Sequence, residues 1–255
     1  MEVKMKELMK YEFRRRKTSR MISIGTAAVG LFLMLSGLLF WKATVAASGF
    51  LLLFIGTLIA PFYAGVESIL LLNRDLQNGQ GCMLWMVPRS VLQIFGAKYL
   101  SAGLQTIFSF CLFFLLLILG AAACVWREKG FAALADTAAA VLPTLGISWI
   151  DLVQDGATAI LLWLQIVMSG FFAVLLARTV LADSRHGGLL SFLLFWLINL
   201  ACSLGYQAIS GLSILSGLPP AGWYAFDVIY YLGLDLLFFL LTVFLADRKL
   251  SPQAV

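Results

Sequence analysis

The chain has little charge and few of the side chains that build metal or disulfide sites. Only 12% of its 255 residues are Asp, Glu, Lys or Arg, against about 25% in a typical soluble domain. The single histidine, His186, cannot make a metal site alone. The four cysteines show neither a disulfide framework nor a metal-ligand spacing. We therefore expect neither a metal nor a cofactor.

Motifs of the common membrane enzymes are also missing. The sequence has no His-Glu-x-x-His motif and no Gly-x-Ser-x-Gly elbow. Asp227 and Asp235 share one apolar segment, whereas aspartyl chemistry needs two carboxylates face to face. A Gly-x-x-x-x-Gly-Lys-Ser/Thr loop, which would bind ATP phosphates, is absent too. We predict that the chain is not an enzyme.

Long apolar segments make up most of the sequence, which is 62% hydrophobic with a mean hydropathy of +0.96. About 20 helical residues cross the hydrocarbon core of a bilayer. Segments of this length without period-2 alternation are helices, because backbone groups in lipid must be satisfied internally. The sequence thus predicts an all-α integral membrane protein. Its six predicted spans are 21–40, 45–72, 100–125, 157–177, 188–206 and 225–246.

Lysine and arginine are distributed unevenly between the loops on the two sides of these spans. Fifteen of the 18 lie in residues 1–20, 73–99, 178–187 and 247–255. The other three are Lys42, Arg127 and Lys129. Because cytoplasmic loops are the basic ones, both termini are predicted to be cytosolic. The net charge of +5 then lies on the cytosolic face, where it favours lipid headgroups rather than nucleic acid.

Residues 131–150 are apolar enough to resemble a seventh span. They contain Asp136 and Pro143, and a span there would move the later basic loops to the outside. We therefore expect 127–156 to be an outer segment, as is 207–224, with 247–255 a cytosolic tail.

The N-terminal 20 residues have the pattern of an amphipathic helix. Met5, Leu8, Met9 and Phe13 recur at helical spacing, with charged residues on another side. Such a helix lies on the membrane surface. Two interpretations stay open: a basic segment that only orients the chain, or a surface helix that packs against a cytosolic partner.

The loop after the second span, residues 73–98, is a candidate docking surface. A polar turn with two glycines precedes a short apolar run, 82–87, and then Pro88. An exposed aromatic residue and methionines flanked by charge suit protein docking. The alternative is an ordinary loop in which Trp85 anchors at the inner membrane interface.

This loop carries a resemblance to a known family. The pattern runs through Glu67, Asp75, Gly79, Leu84, Pro88 and Lys98. It resembles the permease subunits of ABC-2 type transporters, as does the N-terminal Lys10-Tyr-Glu-Phe-Arg-Arg-Arg16. Six spans, cytosolic termini and a length near 250 also agree with that family.

The resemblance implies partners and a function. In that family the N-terminal surface helix and the segment between spans two and three contact a separate ATP-binding subunit. The implied contact residues are Glu12, Glu67, Asp75, Gly79, Leu84, Trp85 and Pro88. A second permease chain, identical or homologous, would complete an exporter in a bacterial cytoplasmic membrane. Short re-entrant helices between spans five and six, common in the family, would correspond to 207–222.

Polar residues within the last predicted span form a second candidate site. Asp227, Tyr231 and Asp235 are spaced at i, i+4 and i+8. As a functional site, this strip lines a translocation path or an interface between two permease chains. Alternatively, Asp235 is protonated and hydrogen-bonded to Asn199, Gln165 or Gln105 on a neighbouring helix, since an ionised carboxylate in lipid is costly.

Two other functions remain compatible with the sequence. A non-transporting membrane scaffold or immunity protein needs only the helices and an interaction surface. A secondary transporter would show inverted repeats and polar sites at the membrane midplane. Whether an ATP-binding subunit associates stably with residues 73–98 distinguishes the permease from both.

Overall fold

The computed structural model of the chain describes residues 5–77, 90–130, 136, 148–180, 187–212, 217 and 219–250. These residues form seven long helices and no strand, which confirms the predicted all-helical class. The helices are α1 (Met5–Arg15), α2 (Lys17–Leu39), α3 (Ala43–Gln77), α4 (Val91–Lys129), α5 (Trp149–Val180), α6 (Gly187–Ser210) and α7 (Pro220–Leu250).

Six of the described helices, α2 to α7, are long and apolar enough to cross a membrane. The predicted number of spans thus agrees with the six long apolar helices among the described residues. Several helices are longer than predicted. α3 and α4 continue through charged residues on both sides of the segment 78–89, and α5 and α7 begin inside the segments that we expected to be outer loops.

The connection between α6 and α7 is shorter than expected. α6 ends at Ser210 and α7 begins at Pro220, so nine residues connect them rather than the expected sixteen of 207–222. The described residues of this connection, among them Gly211 and Leu212, are not helical.

The chain divides into two compact units, and the boundaries fall within helices. We call residues 9–64 and 101–153 the hairpin unit, and residues 1–8, 65–100 and 154–255 the C-terminal unit.

The hairpin unit contains a close antiparallel pair formed by α2 and the first part of α3. A Cβ atom at Gly49 would lie 2.3 Å from the Met34 backbone nitrogen, and one at Gly37 would lie 2.1 Å from the Ala46 nitrogen. Only glycine lets the two backbones approach this closely. Ala27, Met34, Leu53 and Phe113 form the buried core of this unit.

A tight turn joins α2 to α3. The Lys42 N–H donates to the Gly37 carbonyl oxygen at 3.0 Å, and Trp41 has φ 55°. This is a Schellman motif with a tryptophan at the left-handed position that glycine usually occupies. The Arg127 guanidinium, near the end of α4, lies 3.9 Å from the centre of the Trp41 ring. The ends of α2 and α4 therefore meet, as expected for two spans that run in the same direction.

A side chain of α2 caps the C-terminal end of α1. The Arg20 Nη2 donates to the Phe13 carbonyl oxygen at 2.6 Å, and its guanidinium lies 3.5 Å from the centre of the Phe13 ring. Arg20 thus satisfies a carbonyl that the end of α1 leaves without an intrahelical partner.

α5 is the most buried helix of the C-terminal unit. In its most apolar stretch 50% of the residues are buried, compared with 6% in that of α6. The last part of α3 runs parallel to α5: Gly65 faces Trp163 and Ile69 faces Gly170. α3 and α5 are expected to be parallel, because a single span, α4, lies between them in the chain.

α6 and α7 form an antiparallel pair in the same unit. Tyr206 contacts Phe226, and the Tyr230 hydroxyl donates to the Cys202 carbonyl oxygen at 2.6 Å. α6 also runs antiparallel to α5: the Asn199 amide donates to the Ser169 hydroxyl at 2.9 Å, and the later residue Tyr206 lies near the earlier residue Leu162 around one cavity. α6 therefore contacts both α5 and α7, and the polar residues of the three helices lie at these contacts.

Candidate functional site

A buried ion pair joins the two helices that flank residues 78–89. The Lys98 Nζ lies 2.5 Å from the Asp75 Oδ2, and the exposed fractions of the two side chains are 3% and 5%. Asp75 lies near the end of α3 and Lys98 near the start of α4. The pair therefore fixes the distance between the two ends of the connecting segment.

The end of α3 is also bonded to the end of α5. The Arg178 Nε and Nη2 both donate to the Asn73 Oδ1, at 3.3 and 3.1 Å. One turn earlier in α3, Ile69 packs into the space that a side chain at Gly170 of α5 would fill. α3, α4 and α5 are thus joined by polar contacts at the base of the segment 78–89.

The structure describes three of the predicted coupling residues. Glu12 in α1 is 6% exposed and Asp75 is 4% exposed, so both are buried in this chain. Glu67 is partly buried in α3, and its Oε2 has no hydrogen-bond partner among the described residues. Gly79, Leu84, Trp85 and Pro88 lie outside the described residues. Contact of any of these seven with an ATP-binding subunit remains a prediction.

The predicted strip on α7 is divided between two neighbouring helices. The Asp227 Oδ1 accepts a 2.7 Å hydrogen bond from the Tyr206 hydroxyl of α6. Tyr231 stacks against the same Tyr206 ring, with 6.1 Å between ring centres. Asp235 is instead hydrogen-bonded to the Tyr99 side chain of α4. Eight residues of α-helix turn about 80° beyond two full turns, which explains why Asp227 and Asp235 face different helices.

The predicted hydrogen-bond partners of Asp235 were wrong. The Asn199 amide donates to the Ser169 hydroxyl and to the Phe195 carbonyl oxygen. No hydrogen bond to Asp235 is made by Gln165, the Nε2 of which is unpartnered, or by Gln105, of which both amide atoms are unpartnered within the described chain. The partner is Tyr99 of α4, which directly precedes the predicted third span. The sequence alone does not reveal that this part of α4 contacts α7.

One cavity of the C-terminal unit has a volume of about 260 Å³ and is lined by several polar side chains. It lies between α5, α6 and α7. Its walls are Leu162, Gln165, Ile166, Asn199, Cys202, Ser203, Tyr206, Tyr230, Tyr231 and Leu234. Of the predicted strip, only Tyr231 lines it.

Sequence reasoning missed this cavity, although it noticed two of its residues. Gln165 and Asn199 were expected only as partners of Asp235, and Tyr206 was not singled out. Polar side chains within membrane spans are the signal that could have found the site. Which of them share a cavity depends on helix packing.

Metal binding finds no support in the described ranges, where no group of three or more His, Cys, Asp or Glu residues could hold an ion. The six long apolar helices are those of a multi-pass α-helical membrane protein. No family model, no curated protein and no solved structure matches the chain.

Proposed function

We propose that the chain is the membrane-spanning permease subunit of an ATP-binding-cassette exporter. A separate subunit would hydrolyse ATP, and two permease chains would form the membrane part of the transporter. The proposal starts from the resemblance of residues 67–98 to ABC-2 permeases. The observation that supports it best is the buried Asp75–Lys98 pair at the base of the segment 78–89.

A coupling segment must transmit force to the helices that it connects. An exposed loop on two independent helices would yield when a partner pushed on it. Here the flanking helices are joined to each other by Asp75 and Lys98, and α3 is joined to α5 by Asn73 and Arg178. A displacement of the segment would therefore move α3, α4 and α5 as bodies, as in a rigid-body transition.

The experiment that tests the proposal is a mild-detergent pull-down of the tagged chain from its native membrane, with mass spectrometry of the proteins that co-purify. We expect a stoichiometric ATP-binding protein. Replacement of residues 82–88 by a Gly-Ser linker, or Trp85→Ala, should abolish its association. Trp126→Ala is the matched control, because Trp126 lies 60% exposed at the other end of α4.

The alternatives give different results. Absence of an ATP-binding protein in several detergents would overturn the proposal and favour a scaffold or immunity protein. Substrate uptake into proteoliposomes by the chain alone, driven by an ion gradient, would overturn it in favour of a secondary transporter.

A further inference from the structure

The hairpin unit has an open apolar groove between α2 and α4. We call it the α2–α4 groove; its volume is about 720 Å³, within the range of about 300–1,000 Å³ that small-molecule sites occupy. α2 contributes Phe32, Leu35, Leu38 and Leu39 to the walls, and α4 contributes Ala123. Phe32 and Leu39 are two turns apart on one helix, so the apolar wall follows α2 for about 10 Å. The groove is therefore elongated, as a hydrocarbon chain requires.

Aromatic residues line one end of this groove. Trp41 and Trp126 are 83% and 60% exposed, and both belong to the wall. Tryptophan is enriched where a span passes from the hydrocarbon core to the lipid headgroups. Each of these tryptophans is followed directly by a basic residue, Lys42 or Arg127. This end of the groove therefore has the composition of the headgroup region.

Arg127 is the charged residue among the described residues that line the groove. Its side chain is partly exposed, and its guanidinium lies 3.9 Å from the centre of the Trp41 ring. A guanidinium stacked on a ring keeps the N–H groups along its edge available for an anion. Within the part of the chain that the structure describes, the Arg127 side chain makes no hydrogen bond or ion pair. The groove thus ends at a cation that has donors to offer.

The other charges at this end also favour an anion. Lys42 follows Trp41 directly, and Lys129 lies two residues beyond Arg127. The acidic neighbour, Glu128, does not face Arg127, because adjacent residues of a helix point in different directions. Three cations and one carboxylate leave this end positive, and a positive surface at a membrane attracts anionic lipid headgroups.

A second groove of the hairpin unit differs in charge but not in size. It lies beside α2 and α3, has a volume of about 660 Å³, and has no charged residue among the described residues of its wall. We call it the neutral groove; Leu51, Ile55 and Ile59 are among its lining residues. A hydrocarbon chain fits either groove, but the α2–α4 groove alone of these two provides a partner for a phosphate.

We infer that the α2–α4 groove is a binding site for an anionic phospholipid of the surrounding membrane. One acyl chain lies along Phe32, Leu35 and Leu39, where its burial removes apolar surface from water. The phosphate accepts hydrogen bonds from the edge of the Arg127 guanidinium, whose planar fork matches two phosphate oxygens. The site does not require an ATP-binding subunit, so it goes beyond the proposed function and stands independently of it.

The test uses the full-length chain in a nonionic detergent and phosphatidylglycerol that carries a diazirine in one acyl chain. After illumination, mass spectrometry measures how much lipid is attached to residues 32–41 of the α2–α4 groove and to residues 51–63 of the neutral groove. Unlabelled compounds then compete for each site. The two sites are thus compared within one chain.

At residues 32–41, unlabelled phosphatidylglycerol should compete at a concentration about tenfold lower than diacylglycerol, the factor of one charge-assisted hydrogen bond. Phosphatidylcholine has its own ammonium group and should compete less well than phosphatidylglycerol. Glycerol phosphate, which lacks the chains, should not compete. At residues 51–63, phosphatidylglycerol and diacylglycerol should compete equally, because no charge lines the neutral groove within the described residues.

Two pairs of variants separate the phosphate contact from filling of the groove. Arg127→Gln should weaken competition by phosphatidylglycerol at residues 32–41 about tenfold. Lys129→Gln is its matched control: it removes the same charge from an exposed side chain outside the wall and should change competition about threefold at most. Ala123→Trp fills the α2–α4 groove but keeps Arg127, and should abolish labelling of residues 32–41. Ile59→Trp fills the neutral groove instead and should preserve that labelling.

Four outcomes would overturn the inference. Equal competition by phosphatidylglycerol and by diacylglycerol or phosphatidylcholine would indicate a groove that does not select an anionic phosphate. Competition by glycerol phosphate would indicate a site for soluble phosphate esters. Equal effects of Arg127→Gln and Lys129→Gln would indicate attraction to surface charge alone. Unchanged labelling in Ala123→Trp would place the lipid outside the groove. Thermal unfolding without lipid checks that each variant folds; if Arg127→Gln does not, the competition series and Ala123→Trp decide.

Discussion

Lys98 and Asp75 are 23 residues apart in sequence, yet their side chains form an ion pair that is almost completely buried. Removing one partner of a buried pair leaves an uncompensated charge and costs about 3–5 kcal/mol. We predict that Asp75→Lys lowers the free energy of unfolding by about this amount, as measured by denaturation in mixed micelles.

The charge swap Asp75→Lys with Lys98→Asp distinguishes two roles of Asp75. If Asp75 acts by positioning the segment 78–89, the swap should recover most of the lost stability and the association with an ATP-binding subunit. Recovery of stability without association would mean that Asp75 itself contacts the partner.

The glycines between α2 and α3 give a second prediction. At Gly49, an added methyl group would lie 2.3 Å from a backbone nitrogen of α2, so the helices would have to separate. Gly49→Ala should therefore destabilise the chain by about 1–3 kcal/mol, measured in the same micelle assay. Gly25→Ala should have no such effect, because a Cβ there meets nothing within 4 Å. Equal stability of the two variants would contradict the close packing.

Trp41 occupies a left-handed conformation, with φ 55°. This conformation costs roughly 1–2 kcal/mol for a residue with a Cβ atom and little for glycine. Trp41→Gly and Trp41→Ala both remove the contact with Arg127, but only alanine keeps the strain. We predict that the glycine variant unfolds with a free energy about 1 kcal/mol higher than the alanine variant. The opposite order would exclude the Schellman geometry at this turn.

The Tyr99 side chain is hydrogen-bonded to Asp235, and the Asp235 Oδ1 has no hydrogen-bond partner within the described chain. Tyr99→Phe should cost about 1–3 kcal/mol, because it leaves a buried polar group unsatisfied. Tyr63→Phe is a control, since Tyr63 is 49% exposed. Asp235→Asn keeps an acceptor for the Tyr99 hydroxyl and should leave stability unchanged.

Transport measured in the Asp235→Asn variant then separates the two interpretations of this residue. A stable variant that still transports would make Asp235 structural. A stable variant that does not transport would make its charge or its proton functional.

The membrane spans could be predicted because each apolar run is long and the bilayer sets a minimum length. The ends were harder to predict. α4 begins at Val91 rather than at residue 100, because the apolar run marks only the part of a helix that lies in the hydrocarbon core. The ion pair between Lys98 and Asp75 could not be predicted either, because it joins two helices and leaves no local pattern in the sequence.

The candidate site shows the same limit. The i, i+4, i+8 spacing on α7 drew attention to three polar residues, Asp227, Tyr231 and Asp235, each of which has a side-chain contact in the structure. It did not indicate that they meet two different helices. The cavity depends on Gln165 and Asn199, which are far apart in sequence and are brought together only by the antiparallel packing of α5 and α6.

The hydrogen bonds between Asn73 and Arg178 couple the end of α3 to the end of α5. Arg178 and Gln165 are separated by 13 residues of one continuous helix, a length of about 20 Å. A shift of α3 at its Asn73 end acts on one end of this rod, and the wall of the cavity is part of the same rod. We expect motion applied at the base of the segment 78–89 to shift the Gln165 side chain relative to the cavity residues on α6 and α7.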